Sequence, residues 1–261
     1  MTRRLMSEKL CRYAVLLAVT AAISAARPAA AQSADVQWTP CEMSPNAGHL
    51  LGATAASLKQ LPSRSSLGIL SLGAAAAIGA HQVDGNATRT FAGETELRGT
   101  FKSGTVLGGA PLQMGAAFTA IAIGRALHKP CVARAGFNLL EAQILAQALT
   151  IGLKEASRRS RPEGGGFSFP SGHTTMSFAS ATVLQQQFGW KVGIPAYAVA
   201  TYVAASRVQM KRHYLSDVTF GAALGIVAGR TVSIGHGRRL LVTPMASPSG
   251  AAAGFTLIRK Q

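Results

Sequence analysis

Between residues 50 and 232 every apolar run is of helical length, and none alternates strictly between apolar and polar positions. A half-buried strand needs that alternation, whereas Ala- and Leu-rich runs of about 10–12 residues or more favour helix. The runs predict helices near 50–60, 66–81, 105–127, 132–157, 173–188, 193–208 and 216–232. Pro130, Pro162, Pro170 and Pro195 fall between these runs or near their starts, where a missing N–H does least harm. The segment Arg161-Pro162-Glu163-Gly164-Gly165-Gly166-Phe167 is a breaker cluster and predicts a loop. The expected fold class is therefore all-α, a helical bundle. Two short runs, Leu240–Thr243 and Phe255–Ile258, flank Pro, Ser and Gly and predict a C-terminal β-hairpin. No internal repeat is visible.

The N-terminus reads as an export signal. Arg3, Arg4, Lys9 and Arg12 precede the apolar run Tyr13–Ala26, and Ala29-Ala30-Ala31 offers a cleavage site before Gln32. That run is about 14 residues, short of the roughly 20 needed to cross a bilayer, which favours a cleaved signal over an anchor. The expected organisation is a signal peptide at 1–31, an N-terminal arm with the first helices at 32–104, a catalytic helical core at 105–232 and a tail at 233–261. Export implies a periplasmic location, soluble or associated with the inner membrane. Cys11 belongs to the signal, so Cys41 and Cys131 remain, enough for one disulfide.

Composition narrows the function classes. At 48% hydrophobic and 14% charged the chain is no disordered polymer. Lys and Arg number 26 against 10 Asp and Glu, so the balance favours anionic partners: phosphate esters, anionic lipid or nucleic acid. Nucleic acid is not expected, because the chain has two Trp, four Tyr and no recognisable binding module. The longest candidate span, Val106–Ile123, contains Pro111 and Gln113, and hydropathy leans towards a soluble or peripherally attached bundle. No Cys/His pattern has zinc spacing, so no metal and no cofactor are expected.

Three spaced motifs carry the chemistry. Lys154 and Arg161-Pro162 put a point charge and a planar fork on either side of a chain turn, where both can converge on one tetrahedral anion. Pro170-Ser171-Gly172-His173 runs into a helix. Ser171 is a candidate N-cap, Gly172 lets the backbone approach a ligand, and the free N–H groups of the first turn form an anion site. His173 at that helix start is placed to move a proton beside the anion. Ser206-Arg207, His213 and Asp217 form the third motif. An Asp four residues beyond a His can accept from one ring nitrogen, fixing the tautomer and leaving the other as nucleophile.

Together, K-x6-R-P, P-S-G-H and S-R-x5-H-x3-D resemble the signature of the type 2 phosphatidic acid phosphatase superfamily. That superfamily also holds bacterial acid phosphatases and vanadium-dependent haloperoxidases. The resemblance covers about residues 137–229 and implies its helical-bundle fold and a metal-independent phosphatase. His213 would attack phosphorus to form a phospho-histidine, and Asp217 would orient it. His173 would protonate the leaving oxygen and then activate water. Lys154, Arg161, Arg207 and the N–H groups of Ser171 and Gly172 would hold the phosphate oxygens. The expected substrate is a phosphate monoester or diphosphate, with a lipid phosphate favoured by the run His213-Tyr214-Leu215-Ser216-Asp217 and membrane association its corollary. A soluble broad-specificity acid phosphatase is the alternative, and a vanadate-dependent haloperoxidase a more distant one. The family commonly carries a glycine two residues before the third-motif histidine, where this chain has Lys211.

Other residues are expected to stay outside the site. His49, His81, His128 and His236 have no partner at a useful spacing, and Arg158, Arg159 and Arg212 read as solvated charges flanking the motifs. Gly164–Gly166 lacks a following Lys-Ser/Thr and is not a nucleotide loop; it would let the phosphate-binding segments fold around one another.

Overall fold

The computed structural model describes residues 49–92, 95–235, 240–246 and 253–259. The expected signal 1–31, Cys11, Cys41 and His236 lie outside them. Among the described residues the chain forms α1 (His49–Gln60), α2 (Arg64–His81), α3 (Asp84–Ala92), α4 (Thr95–Phe101), α5 (Ser103–Leu107) and α6 (Ala110–Ala126). It continues as α7 (Pro130–Ser157), α8 (Gly172–Phe188), α9 (Trp190–Gln209) and α10 (Leu215–Gly235). The all-α expectation holds. After the bundle, β1 (Leu240–Ala246) and β2 (Ala253–Arg259) pair antiparallel, with Leu240 opposite Arg259 and Ala246 opposite Ala253. Cys131 is disulfide-bonded.

Three differences from the sequence reading have local causes. The expected helix 105–127 breaks at Gly108-Gly109, and the arms on either side are bent by 50°. A Cβ on Gly108 would lie 2.4 Å from Val203 Cγ1, and Pro111 in the first turn of α6 suits a helix start because its missing N–H would be unpaired there anyway. Helices α3 and α4 were not expected, since Asp84–Phe101 is mostly polar; α3 is seated by Ala87 and Phe91, four residues apart on the face that meets the core. Helix α9 starts at Trp190, which puts Pro195 inside it rather than at its edge.

Helix α8 is the centre of the bundle, packed against α7, α9 and α10, with α2 laid over α10 and α6 over α7. Phe178, Tyr197 and Ile226 form one buried cluster, and Leu145, Val183 and Val232 another. The approach of α10 to α8 is set by Gly221, Gly225 and Gly229, one residue per turn on a single face. A Cβ at Gly225 would sit 2.3 Å from the Thr175 carbonyl oxygen, and one at Gly229 2.6 Å from that of Ala179. Such backbone-to-backbone contact brings the N-terminal ends of α8 and α10 side by side, and both end motifs with them.

No single helix among the described residues is long and apolar enough to cross a membrane. Two bent pairs pass that test by length and composition: α2 with α3, bent by 70°, and Arg98–Leu107 with α6.

Candidate functional site

The loop between α9 and α10 turns back on itself. The Arg207 carbonyl accepts the N–H groups of Arg212 and His213 at 3.0 and 3.2 Å, and Lys211 adopts φ 53° to close the turn. This is the left-handed region that glycine enters without penalty, and Lys211 stands at the position where the resemblance led to a glycine being expected.

His213 is buried, with Nδ1 2.8 Å from the Ser168 carbonyl oxygen and 3.7 Å from Asp217 Oδ2. A carbonyl only accepts, so Nδ1 carries the proton and Nε2 keeps its lone pair. Asp217 Oδ2 in turn accepts from the Ser168 hydroxyl and from the Tyr214 N–H at 2.8 Å. The direct carboxylate–imidazole hydrogen bond suggested by the i,i+4 spacing is thus replaced by a relay in which Asp217 fixes Ser168, and Ser168 holds the ring. Burial lowers the His213 pKa; Asp217 pulls it back only in part, while Lys154 and Arg207 push it down further. Burial alone would raise the Asp217 carboxyl, but the neighbouring His213 ring, the Ser168 hydroxyl and Tyr214 N–H donors and the Arg159 charge outweigh it, so the group lies below its ordinary range.

The loop from Ser160 to Phe167 forms a hairpin-like return. Gly164, Gly165 and Gly166 take φ of 80°, 76° and 108°, and Ser160 bridges antiparallel to Phe167. This turn brings Lys154 and Arg161 onto the segment that leads into Pro170–His173. Lys154 Nζ donates to the carbonyls of Phe167 and Ser168 at 2.8 and 3.2 Å, and Arg161 Nε donates to Phe167 at 3.3 Å. Burial, then repulsion from Arg161, lowers the Lys154 pKa to about 8 despite the attraction of Asp217.

Ser171 stands at the N-cap of α8, but its side chain caps no backbone N–H; its hydroxyl accepts from Thr174 Oγ1 at 3.0 Å. Its own N–H donates to the Asp217 carbonyl at 3.1 Å. This corrects the expectation that the Ser171 N–H is free for an anion: the close packing of α8 on α10 engages it. The first-turn N–H groups from Gly172 onward have no acceptor within the helix and remain the backbone donors of the site.

His173 lies against the α5–α6 break, where a Cβ on Gly108 would be 3.1 Å from its Cδ2. Burial, then the charges of Arg207 and His213, lowers its pKa to about 4, with a contact to the Thr105 backbone opposing them. Arg207 is buried and donates from Nη1 to Thr105 Oγ1 at 3.0 Å, while its Nε has no partner. Burial, then Arg212 and Arg161, lowers the Arg207 pKa to about 10. A buried cation with an open N–H beside a lysine, an arginine and a helix N-terminus is arranged for a polyvalent anion. Among the described residues, no three His, Cys, Asp or Glu side chains converge as a metal-ligand set.

Two expectations about neighbouring residues fail. Arg159 is not a solvated charge: it donates to Asp217 Oδ1 and to Ser216 Oγ at 2.7 Å each and to Asp84 Oδ2 at 2.8 Å, and stacks on the Tyr214 ring at 4.2 Å. His81 has partners too, with Nδ1 3.1 Å from Asp84 Oδ2 and 3.3 Å from Arg159 Nη2. Asp84, which no motif marks, is buried and accepts from the Ser216 N–H at 2.9 Å and the Ser216 hydroxyl at 2.5 Å. The available signal was its rarity, an acid in a chain with only 10.

The PAP2 superfamily model matches residues 135–240. The chain is 34% identical over 132 residues to the decaprenylphosphoryl-5-phosphoribose phosphatase of Mycobacterium tuberculosis, covering 46% of this chain and 69% of that one. It is 37% identical over 100 residues to the lipid A 1-phosphatase of Porphyromonas gingivalis, covering 35% of this chain but only 22% of that protein's length. A solved transmembrane PAP2 type phosphatidylglycerolphosphate phosphatase from Bacillus subtilis superposes with a TM-score of 0.48 at 21% identity, over 71% of this chain and 92% of that one.

Proposed function

Because the chain belongs to the PAP2 superfamily, we propose that it is a metal-independent phosphatase of lipid-linked phosphate esters that works through a phospho-histidine. The observation that carries this reading is His213, its Nδ1 proton tied to Ser168 and its Nε2 lone pair left free within a cluster of cations. Nε2 attacks phosphorus as the ester oxygen leaves. Lys154, Arg161, Arg207 and the first-turn N–H groups of α8 neutralise the equatorial oxygens, supplying preorganised charge. His173 gives its proton to the leaving oxygen, then takes one from the water that breaks the phosphorus–nitrogen bond, releasing phosphate and restoring His213. An unliganded pKa of about 4, set first by burial and then by the nearby cations, suits this role only if substrate raises it, and a dianionic phosphate does so by offsetting the cations' share.

Lipid rather than soluble substrate is supported by the printed activities of the relatives and by apolar side chains left exposed on α5, α6 and α9, among them Val106, Phe118 and Ile194. Such a face suits a protein lying at or partly within a membrane. The signal-like N-terminus supports placement on the periplasmic side.

The test is phosphate release in excess chelator from p-nitrophenyl phosphate, phosphatidic acid and a polyprenyl phosphate, with His213→Ala as control. Release from lipid phosphates by the wild type alone is expected. Release only from the chromogenic ester would favour a soluble acid phosphatase, and activity that depends on added divalent ions would overturn the mechanism.

A further inference from the structure

No motif marks α5 or the glycine that follows it, yet this short segment touches the second and third motifs. A Cβ on Gly104 would lie 2.3 Å from Ser206 Oγ, and one on Gly108 would lie 3.1 Å from His173 Cδ2. The segment therefore lies close against both motifs through two small residues four apart, on one face. Thr105 stands between them, and its Oγ1 accepts from Arg207 Nη1 at 3.0 Å. Ser103 anchors the start of α5, its hydroxyl 2.6 Å from that of Tyr202 on α9.

The helix break gives the Thr105 main chain a second role. In a continuing α-helix its carbonyl would accept from the Gly109 N–H. That N–H donates instead to the Val106 carbonyl at 3.0 Å. The Thr105 main chain hydrogen-bonds the His173 ring and favours its protonated form, as an accepting carbonyl does. One residue thus meets a histidine and an arginine from different motifs. Arg207 needs such a holder, because it is only 6% exposed and Arg212 and Arg161 repel it. Among the described residues the Thr105 hydroxyl is the only acceptor that the Arg207 side chain has. A hydroxyl orients the guanidinium without cancelling its charge, whereas a carboxylate in that place would compete with phosphate.

Resting on the proposed function, we infer that Thr105 is a positioning residue of the phosphate site, its hydroxyl fixing the Arg207 guanidinium in the orientation that receives the phosphate oxygens. It acts through Arg207 and not on the reacting atoms. Without the hydroxyl the charge is the same, but the side chain is free to turn, and anion binding must then also immobilise it. Thr105 is itself exposed, so its side chain carries little of the packing of the fold.

The experiment uses the full chain in detergent and chelator. Calorimetry gives the Kd of inorganic phosphate, and turnover of a short-chain phosphatidic acid gives kcat and KM. Thr105→Val, which swaps the hydroxyl for a methyl at constant shape, should raise Kd and KM together by about tenfold, the scale of one hydrogen bond to a charged group. Because uniform binding is what is lost, kcat and Tm should stay nearly unchanged. Thr105→Ser keeps the hydroxyl and should behave as wild type. In an Arg207→Ala background Thr105→Val should have no further effect, since the side chain it acts through is gone. Wild-type Kd and KM in Thr105→Val would overturn the inference, as would a loss that Ser does not rescue or that persists beside Arg207→Ala. A fall in kcat and Tm at constant Kd would show a purely structural role and overturn it equally. Should Thr105→Val fail to fold, Thr105→Ala removes the same hydroxyl and carries the same predictions. Weakened phosphate binding in Thr105→Val, with no ester turned over by wild type, would support the role of Thr105 and overturn the proposed reaction. Turnover by wild type with binding unaltered in the variant would do the reverse.

Discussion

Arg159 reaches Asp217 Oδ1 at 2.7 Å with one terminal nitrogen and Asp84 Oδ2 at 2.8 Å with the other, joining helix α3 to the carboxylate that organises the His213 loop. Both carboxylates are buried, and the guanidinium is the cation placed between them. Removing it leaves two buried negative charges facing each other across Ser216. Arg159→Ala should therefore cost about 3–5 kcal/mol of stability, the range for breaking a buried ion pair from one side. Neighbouring Arg158, exposed at the C-cap of α7, should tolerate alanine with a change within about 0.5 kcal/mol. Thermal melts of the two variants check this, and equal effects would contradict it.

Asp84 acts on the site only through Ser216 and Arg159, so it is a positioning residue. Asp84→Asn keeps the shape and one acceptor but removes the charge. We expect kcat to fall by about tenfold with KM nearly unchanged, as for a lost interaction realised in the transition state. A rise in KM alone would instead indicate a binding role.

Acid sensitivity follows from the two histidines. Both have folded pKa values below the ordinary 6.5, that of His173 at about 4. Below pH 6.5 the unfolded chain takes up protons that the folded chain refuses, so stability rises with pH across this window and is lost as pH falls from 6.5 towards 4. Asp217, lowered in the fold, adds a second loss below its unfolded value of 3.8. Melting curves from pH 7 to 4 should show a declining Tm, flattened in His173→Asn and offset by phosphate or vanadate. A Tm that rises on acidification would contradict the assigned shifts.

Backbone geometry gives the fourth prediction. Gly225→Ala puts a Cβ 2.3 Å from a carbonyl oxygen and cannot be accommodated without moving α10 from α8; a loss of about 1–3 kcal/mol is expected, with activity falling in parallel. Lys211→Gly should be neutral or stabilising by up to about 1 kcal/mol, because φ 53° strains a side chain but not glycine. Chemical denaturation distinguishes the two.

The bundle was legible because its long helices are Ala- and Leu-rich and bounded by proline and glycine, and the motifs were legible because their spacing fits ends of helices that meet. What escaped the sequence is what depends on distance across the fold. Nothing local separates Arg159, tied into the site, from Arg158, which is not. Asp84 looked like any polar residue in a mostly polar segment. The break at Gly108-Gly109 follows from Val203 and His173 pressing against a backbone more than sixty residues away in the chain. The N–H of Ser171, expected to meet phosphate, instead meets Asp217 because the glycine stripe of α10 draws the two helix starts together.

The most direct test of the account is to trap the covalent intermediate. The chain is quenched within the first turnovers of a phosphate ester in chelator, digested, and searched by mass spectrometry for a phosphorylated histidine. Phosphate on His213, acid-labile, absent in His213→Ala and accumulating in His173→Ala with an activated ester, is the predicted result. Turnover by wild type without any phospho-histidine, or sustained turnover by His213→Ala, would contradict it.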